Sequence, residues 1–198
     1  MVKSKHHNVE EIASPSNKPD GCNEVICSTM SLRKTDELIR KPGRALITKK
    51  KVAILKIKIG SRCSEDHIVS HNKQRILSKS MGRVKNILKL TRNAKVLGIY
   101  YAQFFNDVHV ELCKKFAGNG KRVIAAELDK NYREEPLEPM QKLLYEAGYV
   151  TKTLAGCVRY GNPANFTQRI VKSDELIYSG ATKDCDAQYS TFFKPSGS

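Results

Sequence analysis

The sequence predicts an α/β fold: a largely parallel sheet flanked by helices, followed by a small C-terminal unit. Three observations carry this expectation. Short β-branched or apolar runs, such as KVAILKIKI at 51–59 and RVIAAEL at 122–128, read as strands. Between them lie segments whose apolar residues recur at helical spacing. That alternation implies crossover connections and parallel strands. Beyond Ala155 it stops, leaving glycines, prolines and short apolar pairs. The expected division is a mobile tail over 1–20, an α/β domain over 21–154 and a small domain over 155–198.

Glu24 to Cys27 is expected as a short strand, and Thr35 to Lys41 as a short helix cut by Pro42-Gly43. Leu77, Met81, Val84 and Leu88 recur at i, i+4, i+7 and i+11, one face of a helix. Lys95 to Tyr101 forms the next strand. Asn106 caps a helix with Val108, Leu112 and Phe116 inward and Gly118 as its stop. A buried strand over Arg122 to Leu128, a helix over Glu138 to Ala147 and a last strand over Tyr149 to Leu154 complete the pattern.

The 198 residues suffice for one domain with a substantial core. No run of about 18 apolar residues exists, so no transmembrane helix and no membrane partner are expected. MVKSKHHNVEEIASPSNKPDG, at the start, lacks the apolar region of a secretory signal, which makes the cytoplasm the expected compartment. The net charge of +15 is concentrated locally. From Arg40 to Asn106 the only acids are Glu65 and Asp66. Such a field favours polyanions, nonspecific nucleic acid among them, and equally describes a solvated basic face. Six cysteines occur, none in a C-x-x-C pair, so zinc spacing is absent.

Lys34-Thr35, opening a helix after a strand, has the form of the end of a P-loop. On this stretch alone an ordinary helix start is the better reading, since Ser28 and Arg33 stand where the P-loop pattern needs glycine. The order of seven segments is more specific. STMSLRKTDELIR resembles the P-loop segment G-P-M-F-S-G-K-S-T-E-L of cellular (type II) thymidine kinases. AILKIKIGSR resembles the family's second strand with its D-T-R, and SHNKQ its T-H-D-R. VLGIYYAQFFNDVHVEL resembles I-G-I-D-E-G-Q-F-F-x-D-I. GKRVIAAELDKNYREEPL resembles G-K-x-V-I-V-A-A-L-D-G-T-F-x-R-x-P-F. KTLAGCVRYGNPANFTQR and YSGATKDCDAQYSTFFKPSG resemble the two segments that carry the family's zinc cysteines and thymidine loop. The match runs in order from about Ser14 to Gly197.

This resemblance implies a P-loop NTPase-like fold with a C-terminal thymidine-binding lasso, and the reaction ATP + thymidine → ADP + dTMP, a salvage step for DNA synthesis. It places Ser28, Met30, Ser31, Arg33, Lys34, Thr35 and Arg62 at the ATP phosphates. Gln103, Phe104, Tyr132, Leu137, Thr167 and Ile177 fall at the substrate site, although Phe104, Tyr132 and Leu137 also read as core residues. The family's Asp-Glu, which holds Mg²⁺ and takes the proton of the thymidine 5′-hydroxyl, is Tyr100-Tyr101 here. A phenol is neutral at pH 7 and a poor ligand for Mg²⁺. Gly60 stands in place of the Asp of D-T-R. The family's zinc cysteines fall on Cys157, Tyr160, Gln188 and Thr191, so the zinc site is expected to be lost, with Cys185 near but not at a ligand position. The expectation is an impaired thymidine kinase homologue, a pseudo-enzyme, in a homo-oligomer (a tetramer in the family). The alternative is a non-catalytic basic protein on the same fold, binding nucleic acid or an active thymidine kinase subunit.

Overall fold

The computed structural model describes residues 21–29, 33–57, 66–70, 72–81, 84–157, 161–171 and 185–193. The N-terminal tail, Met30, Ser31, Gly60, Arg62, Cys63, Tyr160 and residues 172–184, Ile177 among them, lie outside them. The elements in order are β1 (Cys22–Ser28), α1 (Arg33–Ile47), β2 (Val52–Ile57), β3 (His67–Val69), β4 (Arg75–Leu77), β5 (Lys79–Met81), α2 (Val84–Thr91), β6 (Val96–Tyr100), a 3₁₀ turn (Ala102–Phe104), α3 (Asp107–Gly118), β7 (Arg122–Leu128), α4 (Glu138–Tyr145), β8 (Tyr149–Lys152), β9 (Ala155–Gly156), β10 (Pro163–Ala164), β11 (Phe166–Arg169), β12 (Cys185–Gln188) and a 3₁₀ turn (Ser190–Phe192). Six strands form one sheet in the order β5-β2-β6-β7-β1-β8, with every pair parallel. This is the expected α/β, P-loop-like architecture. No helix among the described residues is long and apolar enough to cross a membrane.

Both faces of the central strands are buried, which is why they read as continuous apolar runs. Val25, Leu97, Ile99, Val123 and Ala125 pack on one face with Phe105, Val110, Phe116, Met140 and Leu143. Ile26, Ile54, Ile124 and Ala126 pack on the other with Leu38 and Ile39 of α1. Helix α1 lies close to the sheet. A Cβ on Gly98 would stand 2.6 Å from Ile54 Cδ1, so the glycine makes room for that side chain of the neighbouring strand, while Pro42 Cγ of the helix would lie at an ordinary contact distance of 3.5 Å. Glu24, buried in β1, binds Arg122 of β7 and Lys41 of α1 (3.1 Å), tying two strands to the helix.

Four local expectations are corrected. Helix α1 does not stop at Pro42-Gly43 but runs on to Ile47. Leu38, Ile39, Pro42 and Ala45 all face the core, and that burial outweighs the hydrogen bond lost at proline. The helical face drawn through Leu77, Met81, Val84 and Leu88 is instead two short strands and a later helix. Leu77 in β4 is 61% exposed, Met81 in β5 is buried, and α2 inserts Ile87. Three-residue strands are too short to display a period of two, so the helical spacing was accidental. In α3 the Asn106 cap forms, accepting from the His109 N–H, but Val108 is 56% exposed; Val110, Cys113 and Phe116 turn inward. After Ala155, where no pattern was visible, β9–β10 and β11–β12 form two small antiparallel pairs.

Candidate nucleotide site

The carboxyl ends of β1, β6 and β7 lie side by side, Cys27 opposite Glu127 and Tyr100 opposite Ala126. Ligands of open α/β sheets bind beyond such strand ends. Helix α1 starts at this edge, so Lys34 and Thr35 arrive in its first turn. Lys34 is only 4% exposed, and its Nζ donates to the Thr29 carbonyl at 2.7 Å. Burial pulls its pKa down, while Glu127 and then Asp129 push it back up.

Two phenols occupy the end of β6. Their rings stack with centroids 4.1 Å apart, and Phe104 meets Tyr101 edge-on at 6.2 Å. Tyr100 OH lies 3.4 Å from Thr35 Oγ1. Burial, followed by the charge of Glu127, drives the Tyr100 phenol far above its ordinary pKa, so it stays protonated. Tyr101 sits in the left-handed region, φ 66° and ψ 40°, an uncommon and costly conformation for an aromatic residue. Mg²⁺ requires hard oxygen ligands in near-octahedral array. The end of β6 offers it a neutral phenol, and the Thr35 hydroxyl lies against that phenol. The side chains here do not fit an ion held as the resemblance implies.

A carboxylate does stand at this edge, on the neighbouring strand. Glu127 is 6% exposed, and its Oε2 has no hydrogen-bond partner. Burial raises its carboxyl to about 7, against the attraction of Lys34 and the N–H groups of Leu128 and Tyr101. Asp129, two residues on, pairs with Lys152 at 2.8 Å through Oδ2 and leaves Oδ1 without a partner. Thr29 Oγ1 and Gln103 Oε1 are also buried and unpartnered. Four buried polar atoms without hydrogen-bond partners thus gather along one sheet edge, a donor and acceptor set suited to a polar ligand. Glu127 was missed from sequence. Its only signal was a lone acid near the end of an otherwise apolar strand.

Ser28 is fully buried at the end of β1. Arg33 is exposed and lines a cleft of ≈ 710 Å³ with Asp36, Lys152 and Gly156. The substrate candidates form a second group. Arg169 of β11 lies over the Tyr132 ring, 3.7 Å from its centroid, and Arg133 Nε donates to the Tyr132 hydroxyl at 2.9 Å. One face of that ring is thus already covered by a guanidinium. Thr167 is buried on β11 opposite Ala187. Leu137 packs with Met140 and Leu143 in the core. Of the four zinc positions, Cys157 and Gln188 come together, the Cys157 thiol 3.9 Å from Gln188 Oε1. Among the described residues no group of three or more His, Cys, Asp or Glu is placed to hold a metal ion.

The family model described as thymidine kinase matches residues 21–190. The chain belongs to the thymidine kinase family. It is 40% identical over 172 residues to a thymidine kinase of Rhodothermus sp. (strain ITI 518), covering 87% of this chain and 81% of that one. It is also 40% identical to a thymidine kinase of Bacteroides thetaiotaomicron, over 81% of each chain. A thymidine kinase of Bacteroides fragilis (strain YCH46) matches at 40% over 166 residues, 84% of this chain and 81% of the relative. Membership of the thymidine kinase family therefore rests on nearly the whole chain, not on the P-loop alone.

Proposed function

We propose that this chain is a thymidine kinase homologue that retains a nucleotide-binding frame but is impaired in phosphoryl transfer. The observation that carries this reading is the Tyr100–Thr35 contact of 3.4 Å. In the family reaction the thymidine 5′-oxygen attacks the γ-phosphorus, and the bond to the β,γ-bridging oxygen breaks. A positioned group takes the 5′-hydroxyl proton and a metal offsets the phosphate charge. Here Lys34 and the N-terminus of α1 remain to receive phosphate. Gln103 and Thr167 remain to face the nucleoside. Tyr100 and Tyr101, phenols in place of carboxylates, neither accept the proton nor hold the metal. Losing a general base alone is typically worth about 10²–10⁴ in rate.

The test is conversion of labelled thymidine to dTMP with MgATP, run beside one of the 40% identical bacterial thymidine kinases. Turnover at least about 10²-fold below the relative is expected; equal turnover would overturn the impaired reading. Calorimetry with thymidine should still detect binding.

The same reading extends to zinc. A structural site needs four ligands. Cys157 alone of the family's cysteine positions is still a cysteine, and Gln188 meets its thiol. Elemental analysis of the purified protein should find no stoichiometric zinc. About one zinc per chain would mean that other side chains, Cys185 foremost, had been recruited.

A further inference from the structure

The charge that the phosphate nest presents to a nucleotide is not that of Lys34 alone. Lys34 and Glu127 are both buried at the same edge, one opening α1 directly after β1, the other ending β7 beside β1. Lys34 Nζ donates to the Thr29 carbonyl, and the charge of Glu127, whose Oε2 has no hydrogen-bond partner, acts on Lys34. Asp129 adds a second negative charge within reach of the same lysine. At the corresponding place the family pattern V-I-V-A-A-L-D carries an alanine, which brings no charge; here the segment reads V-I-A-A-E-L-D.

We propose that Glu127 is a built-in counter-anion of the P-loop lysine, one that opposes the β- and γ-phosphates of a nucleotide for the charge of Lys34 and so sets the affinity of this site for nucleoside di- and triphosphates. A phosphate seated at the start of α1 gains from Lys34 and from the helix N-terminus. It must also approach the Glu127 carboxylate in a site from which water is largely excluded, where like charges repel strongly. The repulsion acts on phosphate and not on base or sugar. Removing the carboxylate therefore tightens ADP and ATP selectively and leaves adenosine and thymidine unaffected.

This inference rests on the nucleotide-binding half of the proposed function and on no part of the transfer step. The experiment is calorimetric titration of the full chain at about pH 8, above the raised value of about 7 at which Glu127 ionises, with ADP, with and without Mg²⁺, and with adenosine and thymidine. The proteins are wild type, Glu127→Gln, Glu127→Ala, Lys34→Met and the Lys34→Met/Glu127→Ala double variant. Glu127→Ala installs the residue of the family pattern and covers the case in which the glutamine variant fails to fold. Both Glu127 variants are expected to bind ADP at least tenfold more tightly than wild type, with adenosine and thymidine within twofold. In the Lys34→Met background the gain should vanish, since the two residues act as a coupled pair. ADP affinity unchanged or weakened in Glu127→Ala overturns the proposal, as does an equal gain for adenosine. A chain that gains ADP affinity while binding no thymidine leaves this proposal standing and sinks the thymidine reading instead.

Discussion

Restoring glutamate at position 101 alone is expected to leave phosphoryl transfer at the wild-type level. Tyr101→Glu returns a proton acceptor in name, but three features of the site work against it. Tyr100 still places a protonated phenol 3.4 Å from the Thr35 hydroxyl, where the family carries a metal-binding carboxylate. Ser28 and Arg33 still stand at the glycine positions of the phosphate nest. A new carboxylate at 101 would also join the buried, partly unpartnered carboxylate of Glu127, whose interaction with the 101 N–H shows how near the two positions lie. Two carboxylates sharing a dry site do not both ionise, because like charge raises the pKa of one of them. Groups that act as a unit are grossly non-additive when restored one at a time. The smallest set expected to yield measurable dTMP is therefore Tyr100→Asp, Tyr101→Glu, Ser28→Gly and Arg33→Gly together with Glu127→Ala. Against wild type, a gain on the order of 10²–10⁴ is expected, the range a general base supplies. Labelled-thymidine assays on the single, fourfold and fivefold variants read it directly. Strong rescue by Tyr101→Glu alone would show that nest and metal corner are intact as they stand.

The contrast between the single and combined variants reflects which interactions a sequence displays. Strands β1, β6 and β7 were legible because burial on both faces makes them continuous apolar runs. The Asn106 cap was legible because capping is decided within three residues. Pro42 misled because its effect on α1 depends on the sheet beneath it, against which Leu38, Ile39, Pro42 and Ala45 are buried. The strands over 67–81 were lost because three residues cannot show a period. At the site, the phenols in place of Asp-Glu were visible once seven segments had been aligned with the family. The contact of Tyr100 with Thr35 was not, because the two meet across 65 positions of chain. Glu127 was the hardest to see. In a one-dimensional reading an acid near the end of an apolar run marks where a strand reaches solvent. Only the register of β7 against β1 and the start of α1 show that it ends beside a buried lysine.

Wild-type stability is expected to fall as pH rises from about 5 to about 7.5, and Glu127→Gln is expected to remove that fall. The carboxyl of Glu127 is raised from 4.5 to about 7 in the folded chain, chiefly by burial. A group whose folded pKa lies above its unfolded value contributes its full stability below the unfolded value and loses it as pH climbs through the folded one. The folded chain thus holds a proton that the unfolded chain releases between about pH 4.5 and 7. Each unit of difference corresponds to about 1.4 kcal/mol, so the loss across the window is on the order of 3 kcal/mol. That is a large share of the 5–15 kcal/mol typical of a domain. Two other groups bear on the same curve. His109 is lowered by burial and contributes the opposite slope, stability that rises with pH through the histidine range. Glu24, held below its ordinary value by Arg122 and Lys41 although burial opposes them, loses its contribution only in more acidic solution. Both are present in wild type and variant, so the difference between the two curves reports Glu127 together with Lys34, whose pKa Glu127 holds up. Urea denaturation at half-unit intervals from pH 5 to 8 measures it. Removing the carboxylate also leaves Lys34 with Asp129 as its remaining acidic neighbour, which shifts the variant's curve as a whole; the test is the slope, not the offset. Parallel curves for wild type and Glu127→Gln would mean that Glu127 is ionised throughout, fully neutralised by Lys34. The burial of a carboxylate beside the P-loop lysine would then carry no pH-dependent cost.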